Sequence, residues 1–253
     1  MQKTLIIAEA ALEHNGNIEK AKEMVRLAKW AGADIVKFQT FFGTQPTLTK
    51  YELTKNEWKD LFDHCADNGI EFASSPFDIE AIDFLEELGM KTWKIASGFV
   101  THVPFLERIA KVKGRERTIL STGMAKIAET HRAADIVKAT SILHCVSLYP
   151  CPPSELTLFY IRNAYQNGYK IGFSDHTQGI WAAPVAVALG ATVIEKHFTT
   201  YDKGGPDAEL SVDAHELKEM IQNIRNVEAA MGPGTGKQME NRDAIRKRMG
   251  CPK

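Results

Sequence analysis

Two segments, "IGFSDHTQGI" (171–180) and "TVIEKHFTT" (192–200), each carry an apolar run into a cluster of ionisable side chains that includes His176 and His197. Burying one unpaired charge costs several kcal/mol, so such groups pair with one another, hold a metal or face a ligand. Side chains alternate along a strand, and residues two apart share a face. By that rule Val193, Glu195 and His197 share a face, as do Ile7 with Glu9, and Ile35 with Lys37 and Gln39; Lys94 lies near the end of a further run. Each charged group is preceded by an apolar one and lies toward the C-terminal end of its run, the pattern of an interior dry at one end and ionic at the other. A structural salt-bridge network explains any single case. Five or six strand ends at once favour a ligand site.

His176 and His197 belong to consecutive runs. Neighbouring strands lie about 4.8 Å apart and metal–nitrogen bonds measure about 2.0–2.2 Å, so imidazoles from adjacent strand ends can share one ion. Flanked by Asp175 and Glu195, with few thiolates near, the pair points to a divalent metal, Mn2+ or Mg2+ at least as well as Zn2+. His14 either joins this pocket or caps its loop. A second sub-site gathers Lys37 and Lys94 with Ser74, Ser75, Ser97, Ser121, Thr122 and Ser174. Donors without matching carboxylates suit a substrate bearing phosphate and carboxylate groups. The same hydroxyls in "SSPFD" and "SDHT" also suit helix caps, and a helix N-terminus itself attracts anions.

The elements that must position these groups are short β-branched runs at 5–10, 35–41, 72–76, 92–97, 117–122, 141–146, 170–174 and 192–198. Amphipathic patterns such as "IEKAKEMVRLAKWAG" and "DIEAIDFLEELGM" lie between them. Helices stop at Gly32, Gly69, Gly89, Gly168 and Gly190, where the left-handed C′ conformation turns the chain back toward a sheet. Eight such units predict an α/β fold, a closed parallel (β/α)8 TIM barrel. A doubly wound open sheet is the runner-up, but "EAALEHNGN" lacks its glycine-rich turn. A single domain over 1–253 is expected, with 231–253 a C-terminal loop and tail; "PGTGK" lacks phosphate-loop spacing and reads as a loop.

With 253 residues, 44% hydrophobic, 25% charged and a formal net charge of −1, the chain offers no electrostatic footprint for nucleic acid or a membrane surface. Four cysteines without Cys-x-x-Cys spacing read as reduced thiols. "MQKTLIIAEA" is too short an apolar run for a signal peptide, so a soluble cytoplasmic protein is expected.

In order, "IIAEAALEHNG", "GADIVKFQTF", "FASSPFD", "WKIASG", "ILSTGMA", "HCVSLYP", "IGFSDHTQGI", "GATVIEKHF" and "GPDAELS" resemble the segments of the sialic acid synthases, the N-acetylneuraminate synthases and their legionaminate, pseudaminate and 9-phosphate relatives. The resemblance covers nearly the whole chain and implies a (β/α)8 barrel. It implies condensation of phosphoenolpyruvate with an N-acylated hexosamine such as N-acetylmannosamine, giving a nine-carbon 3-deoxy-2-keto sugar acid and phosphate. By the same resemblance a divalent ion, usually Mn2+ with Mg2+ or Co2+ as alternatives, is held by His176 and His197. Lys37, Ser75, Lys94, Ser97, Ser121 and Ser174 grip phosphoenolpyruvate. Glu9, Tyr149, Glu195 and Asp207 lie near sugar, metal or attacking water, with Glu9 and Glu195 the candidates for proton transfer. The chain departs from the pattern at Ala11 (glycine), Glu13 (asparagine), Phe99 (glutamate) and Ala208 (histidine). It also stops near "RKRMG", where relatives continue into an antifreeze-like domain, so a homodimer or a separate capping subunit is the expected partner. Two alternatives stand beside this: condensation with a different aldose, and a non-catalytic barrel that binds a sugar acid. A metal-dependent aldolase or isomerase is a remoter one.

Overall fold

The computed structural model describes residues 3–43, 47–164, 169–202, 204–232 and 242–250. Eight strands close into one all-parallel barrel in chain order: β1 (Leu5–Ala11), β2 (Ile35–Thr40), β3 (Glu71–Pro76), β4 (Thr92–Ile95), β5 (Arg117–Ser121), β6 (Ser141–Cys145), β7 (Lys170–Asp175) and β8 (Val193–His197). The open-sheet alternative is excluded because β8 pairs back onto β1, with Leu5 opposite Val193 and Glu9 opposite His197. Among the described residues, seven α-helices cross over between strands: α1 (Ile18–Ala31), α2 (Lys55–Asp67), α3 (Ile79–Glu87), α4 (Val103–Ala110), α5 (Ile127–Val137), α6 (Phe159–Ala164) and α7 (Ala182–Ala188). Two follow the last strand, α8 (Ala214–Met231) and α9 (Arg242–Arg248). The expected tail thus contains a helix; "PGTGK" and Gly168 lie outside the described residues.

Each of the eight sequence windows overlaps one strand; β1, β3 and β7 extend one residue beyond theirs. The largest trim is at 92–97, where β4 ends at Ile95 and a 3-10 turn over Ser97–Phe99 takes the chain out of the sheet. Helix ends follow local chemistry. Asn17 accepts from the N–H groups of Glu19 and Lys20 at the start of α1, and Asp213 with Glu216 forms a capping box on α8.

Period-two alternation divides the sheet into two chemistries. Outward residues such as Ile6, Val36, Trp93, Ile142 and Phe173 pack under the helices. Inward, the lower barrel is filled by Ile7, Ile35, Ala73, Ile119, Leu143 and Val193. Gly172 completes this plug: a Cβ there would sit 2.5 Å from both the Leu143 side chain and the Val193 carbonyl oxygen. Above this layer the inward positions turn ionic.

Candidate functional site

The inward positions above the plug are Glu9, Lys37, Ser75, Lys94, Ser121, Ser174, Glu195 and His197, all buried. They ring a cavity of about 80 Å³ at the C-terminal end of the strands, the catalytic face of such barrels. Ser97, Tyr149 and His176 join from the loops after β4, β6 and β7, so every site residue implied by the resemblance lines this cavity except Asp207. A larger cavity, about 430 Å³, opens at the opposite end beside Lys3, Asp34 and Arg117. Its charges are taken up by cross-strand pairs, Lys3 with Asp34 at 2.8 Å and Arg117 with Glu71 at 2.8 Å. That end of a barrel serves stability, not chemistry.

Two lysines and two glutamates form the heart of the upper layer. Lys37 contacts Glu9 and lies 3.6 Å from Glu195; Lys94 lies 3.3 Å from Glu195. Ser75 accepts from Lys37 at 3.2 Å, and Ser174 donates to Glu195 at 2.8 Å. The expectation of donors without matching carboxylates is therefore corrected: both lysines are already faced by carboxylates, because Glu9 lies in register beside Lys37 on the neighbouring strand and Glu195 on β8 meets both lysines inside the closed barrel. The two glutamates divide in character. Burial lifts Glu9 to about 7 against the pull of Lys37, with the charge of Glu195 adding to the rise. Burial acts upward on Glu195 too, but Lys37 and Lys94 together outweigh it and hold that carboxyl well below the usual range. One carboxylate thus stays ionised while its neighbour sits poised near neutrality, the separation that assigns proton-transfer roles. The Ser121 hydroxyl, buried at the same level, has no hydrogen-bond partner among the described residues, and Ser97 accepts the Gly123 N–H at 2.9 Å. Ser74 and Thr122 leave the rim. Ser74 faces outward to Thr40 and the Phe38 carbonyl, and Thr122 donates to the Leu143 carbonyl.

Across the cavity the two imidazoles face each other with ring centroids 5.5 Å apart. That is inside the span of roughly 6.5 Å that two metal–nitrogen bonds of about 2.1 Å permit. A 2.8 Å bond between His176 Nδ1 and the Val146 carbonyl leaves Nε2 with its lone pair. His197 Nδ1, buried and without a hydrogen-bond partner among the described residues, lies 3.6 Å from Asp207 Oδ2. Burial lowers His176 to about 4 and His197 well below its ordinary value, so both rings are neutral, the form a metal requires. Among the described residues no three His, Cys, Asp or Glu converge into a complete ligand set. Two neutral imidazole nitrogens at this separation are donors that fit a divalent ion. Tyr149 packs its ring 4.1 Å from that of His176.

Asp175 does not flank this pair. It lies on the outer face, its Oδ2 3.4 Å from Lys196 Nζ and its Oδ1 accepting from the N–H and hydroxyl of Thr177. His14 also stays out of the pocket, packed among Phe38 and Trp58 with Nδ1 accepting the Gly16 N–H at 3.1 Å. Several contributors were not nominated. Phe77 and Cys145 line the cavity, together with Gln39, which strand alternation placed on the face of Lys37. Fully buried Glu13 accepts the Asp207 N–H at 2.7 Å, and any side chain at Gly205 would collide with its carboxylate. The departures from the family pattern cluster here. Ala11 adopts φ +44°, a conformation that favours glycine. Phe99 stacks on Phe105 at 4.2 Å and meets Phe77 edge-on, making an aromatic wall beside the cavity.

The profile of the NeuB family matches residues 24–236. The N,N'-diacetyllegionaminic acid synthase of Campylobacter jejuni is 39% identical, the alignment covering 98% of this chain and 84% of that protein. The enzyme of the same name from Legionella pneumophila is 40% identical over 95% of this chain and 77% of its own. Among solved structures, the N-acetylneuraminic acid (sialic acid) synthetase of Leptospira borgpetersenii in complex with citrate superposes with a TM-score of 0.89. It is 31% identical and covers 98% of this chain and 92% of its own. With ordered barrel, ionic upper layer and sequence all in agreement, the chain belongs to the NeuB family.

Proposed function

We infer that this protein condenses phosphoenolpyruvate with an N-acyl amino-hexose, giving a 3-deoxy-2-keto sugar acid and phosphate. The observation that carries the reading is the buried Glu9–Lys37–Glu195–Lys94 array opening on a cavity that two neutral imidazoles face. Lys37 and Lys94 with Ser75, Ser97, Ser121 and Ser174 would receive the phosphate and carboxylate of phosphoenolpyruvate; the unpartnered Ser121 hydroxyl supports this. An arriving anion competes with Glu195 for the lysines, so the array is balanced before binding and rearranges on it. Carbon 3 of phosphoenolpyruvate then attacks the aldehyde carbon, water adds at carbon 2, and phosphate leaves with its bridging oxygen by C–O cleavage. Glu9, lifted to about 7 by burial, suits holding that water and taking its proton, with Glu195 the ionised partner.

His176 and His197, with Asp207 beside them, would hold the divalent ion, Mn2+ first and Mg2+ or Co2+ as alternatives. A bound ion supplies Lewis-acid polarisation of the acceptor aldehyde. Tyr149 and Phe77, the latter backed by Phe99, would flank the acceptor, and apolar flanks suit the methyl groups of acylamino substituents. The acceptor panel should therefore contain N-acetylmannosamine and a diacetamido hexose, free and phosphorylated. Incubation with phosphoenolpyruvate and Mn2+, followed by mass spectrometry of the 2-keto acid, tests the reading. Release of phosphate with a new sugar acid is expected; phosphoenolpyruvate binding without product from any aldose would favour a binding barrel. No helix among the described residues is long and apolar enough to cross a membrane.

A further inference from the structure

We propose that the buried pair Asp175–Lys196, on the outer face of the sheet, is the positioning device that sets the spacing of the two histidines. The inference rests on the histidine pair as the metal site. Asp175 and Lys196 are directly paired in register across β7 and β8, and each immediately precedes one histidine. Lys196 Nζ is completely buried, 3.4 Å from Asp175 Oδ2, and also donates to the Thr177 carbonyl. Asp175 Oδ1 takes the N–H of Thr177 at 2.8 Å and its hydroxyl at 2.7 Å. Both backbone neighbours of His176 are thereby fixed to the residue next to His197, while the Cys151 N–H holds the His176 carbonyl at 2.8 Å. The two metal-facing residues are thus joined through one charged bridge on the back of the sheet.

Strand pairing alone does not call for such a bridge. The other outward positions of the same strands, Ile171, Phe173 and Ile194, are apolar and pack into the helix layer. Replacing a buried ion pair by apolar residues is often neutral for stability, so a charge pair at this one cross-strand position points to geometry. Outer contacts that orient metal ligands change affinity about 10–100-fold when removed.

The test uses the full chain and measures Mn2+ binding directly, by the electron paramagnetic resonance of free Mn2+, beside thermal melting and phosphoenolpyruvate affinity. His197→Ala is the control and should abolish tight Mn2+ binding; retained binding would overturn the metal site itself. The double variant Asp175→Asn/Lys196→Met should keep its melting temperature and phosphoenolpyruvate affinity while Mn2+ binding weakens about 10–100-fold. Lys196→Arg, which keeps the charge, should recover part of that loss. Thr177→Val, which removes only one hydroxyl, should weaken Mn2+ about threefold, and it decides by itself if the double variant does not fold. Wild-type Mn2+ affinity in a folded double variant, or in Thr177→Val, overturns the positioning role while the His197→Ala result leaves the metal site standing.

Discussion

Two buried charge clusters lie back to back on the same strands and differ in what they face. Inside the barrel, Glu9, Lys37, Glu195 and Lys94 alternate in sign, yet both Glu9 oxygens and Glu195 Oε2 lack regular hydrogen-bond partners, as does the Ser121 hydroxyl. Outside, Asp175, Lys196 and Thr177 close on one another; Asp175 Oδ2 also lacks a regular hydrogen-bond partner among the described residues, but neither Asp175 nor Lys196 lines the upper cavity. The residues alternate along "SDH" and "EKH", so one chain segment supplies both. A charge cluster that faces a void can offer its unsatisfied atoms to a ligand, whereas one on the outer face of the sheet acts on geometry.

The largest way to break the comparison is to empty the inner array. Glu195→Gln removes the shared carboxylate from both lysines, and kcat/KM for phosphoenolpyruvate should fall about 10³-fold or more, corresponding to the roughly 3–5 kcal/mol of a broken buried pair. Phosphate release at saturating Mn2+ reads this, and activity within tenfold of wild type would contradict the role of the array. Removing Asp207 from His197 is next. Asp207→Asn should lower kcat about 10–100-fold and weaken Mn2+ binding with little change in phosphoenolpyruvate KM.

The pH dependence sharpens the contrast. Glu9 is raised in the folded state from 4.5 to about 7. Its contribution to stability is therefore complete below pH 4.5 and is lost as pH rises through 7, because the folded state binds more protons than the unfolded one. Glu9→Gln should flatten that decline in urea titrations across the same window and abolish a limb near pH 7 in kcat/KM. Glu13 shifts in the same direction, chiefly by burial. Glu13→Gln keeps the oxygen that receives the Asp207 N–H, and its melting temperature should exceed wild type increasingly as pH rises. The smallest effect belongs to the backbone. Ala11→Gly relieves a left-handed alanine and should raise stability by about 0.5–1 kcal/mol in the same titrations.

Much of the site was legible because strand alternation is local. Glu9, Lys37, Glu195 and His197 could be assigned to one face two residues at a time, and the apolar residues below them foretold the dry floor of Ile7, Ile35 and Val193. The same rule, applied to Ser174 and His176, excludes Asp175 from their face; its charge beside His176 was the misleading signal. Sequence could not show that Lys37 meets Glu9 and Glu195, since those contacts join β1, β2 and β8 across barrel closure. Nor could it place Glu13, whose partner lies 194 residues away at Asp207.

What the chain fixes by itself is therefore the repeating unit and the face each side chain takes, because both follow from hydrophobic period and turn chemistry within a few residues. Which charges neutralise one another, which remain open to a ligand, and how far apart the two imidazoles stand were decided by closing eight strands into a ring, where long-range register sets every distance.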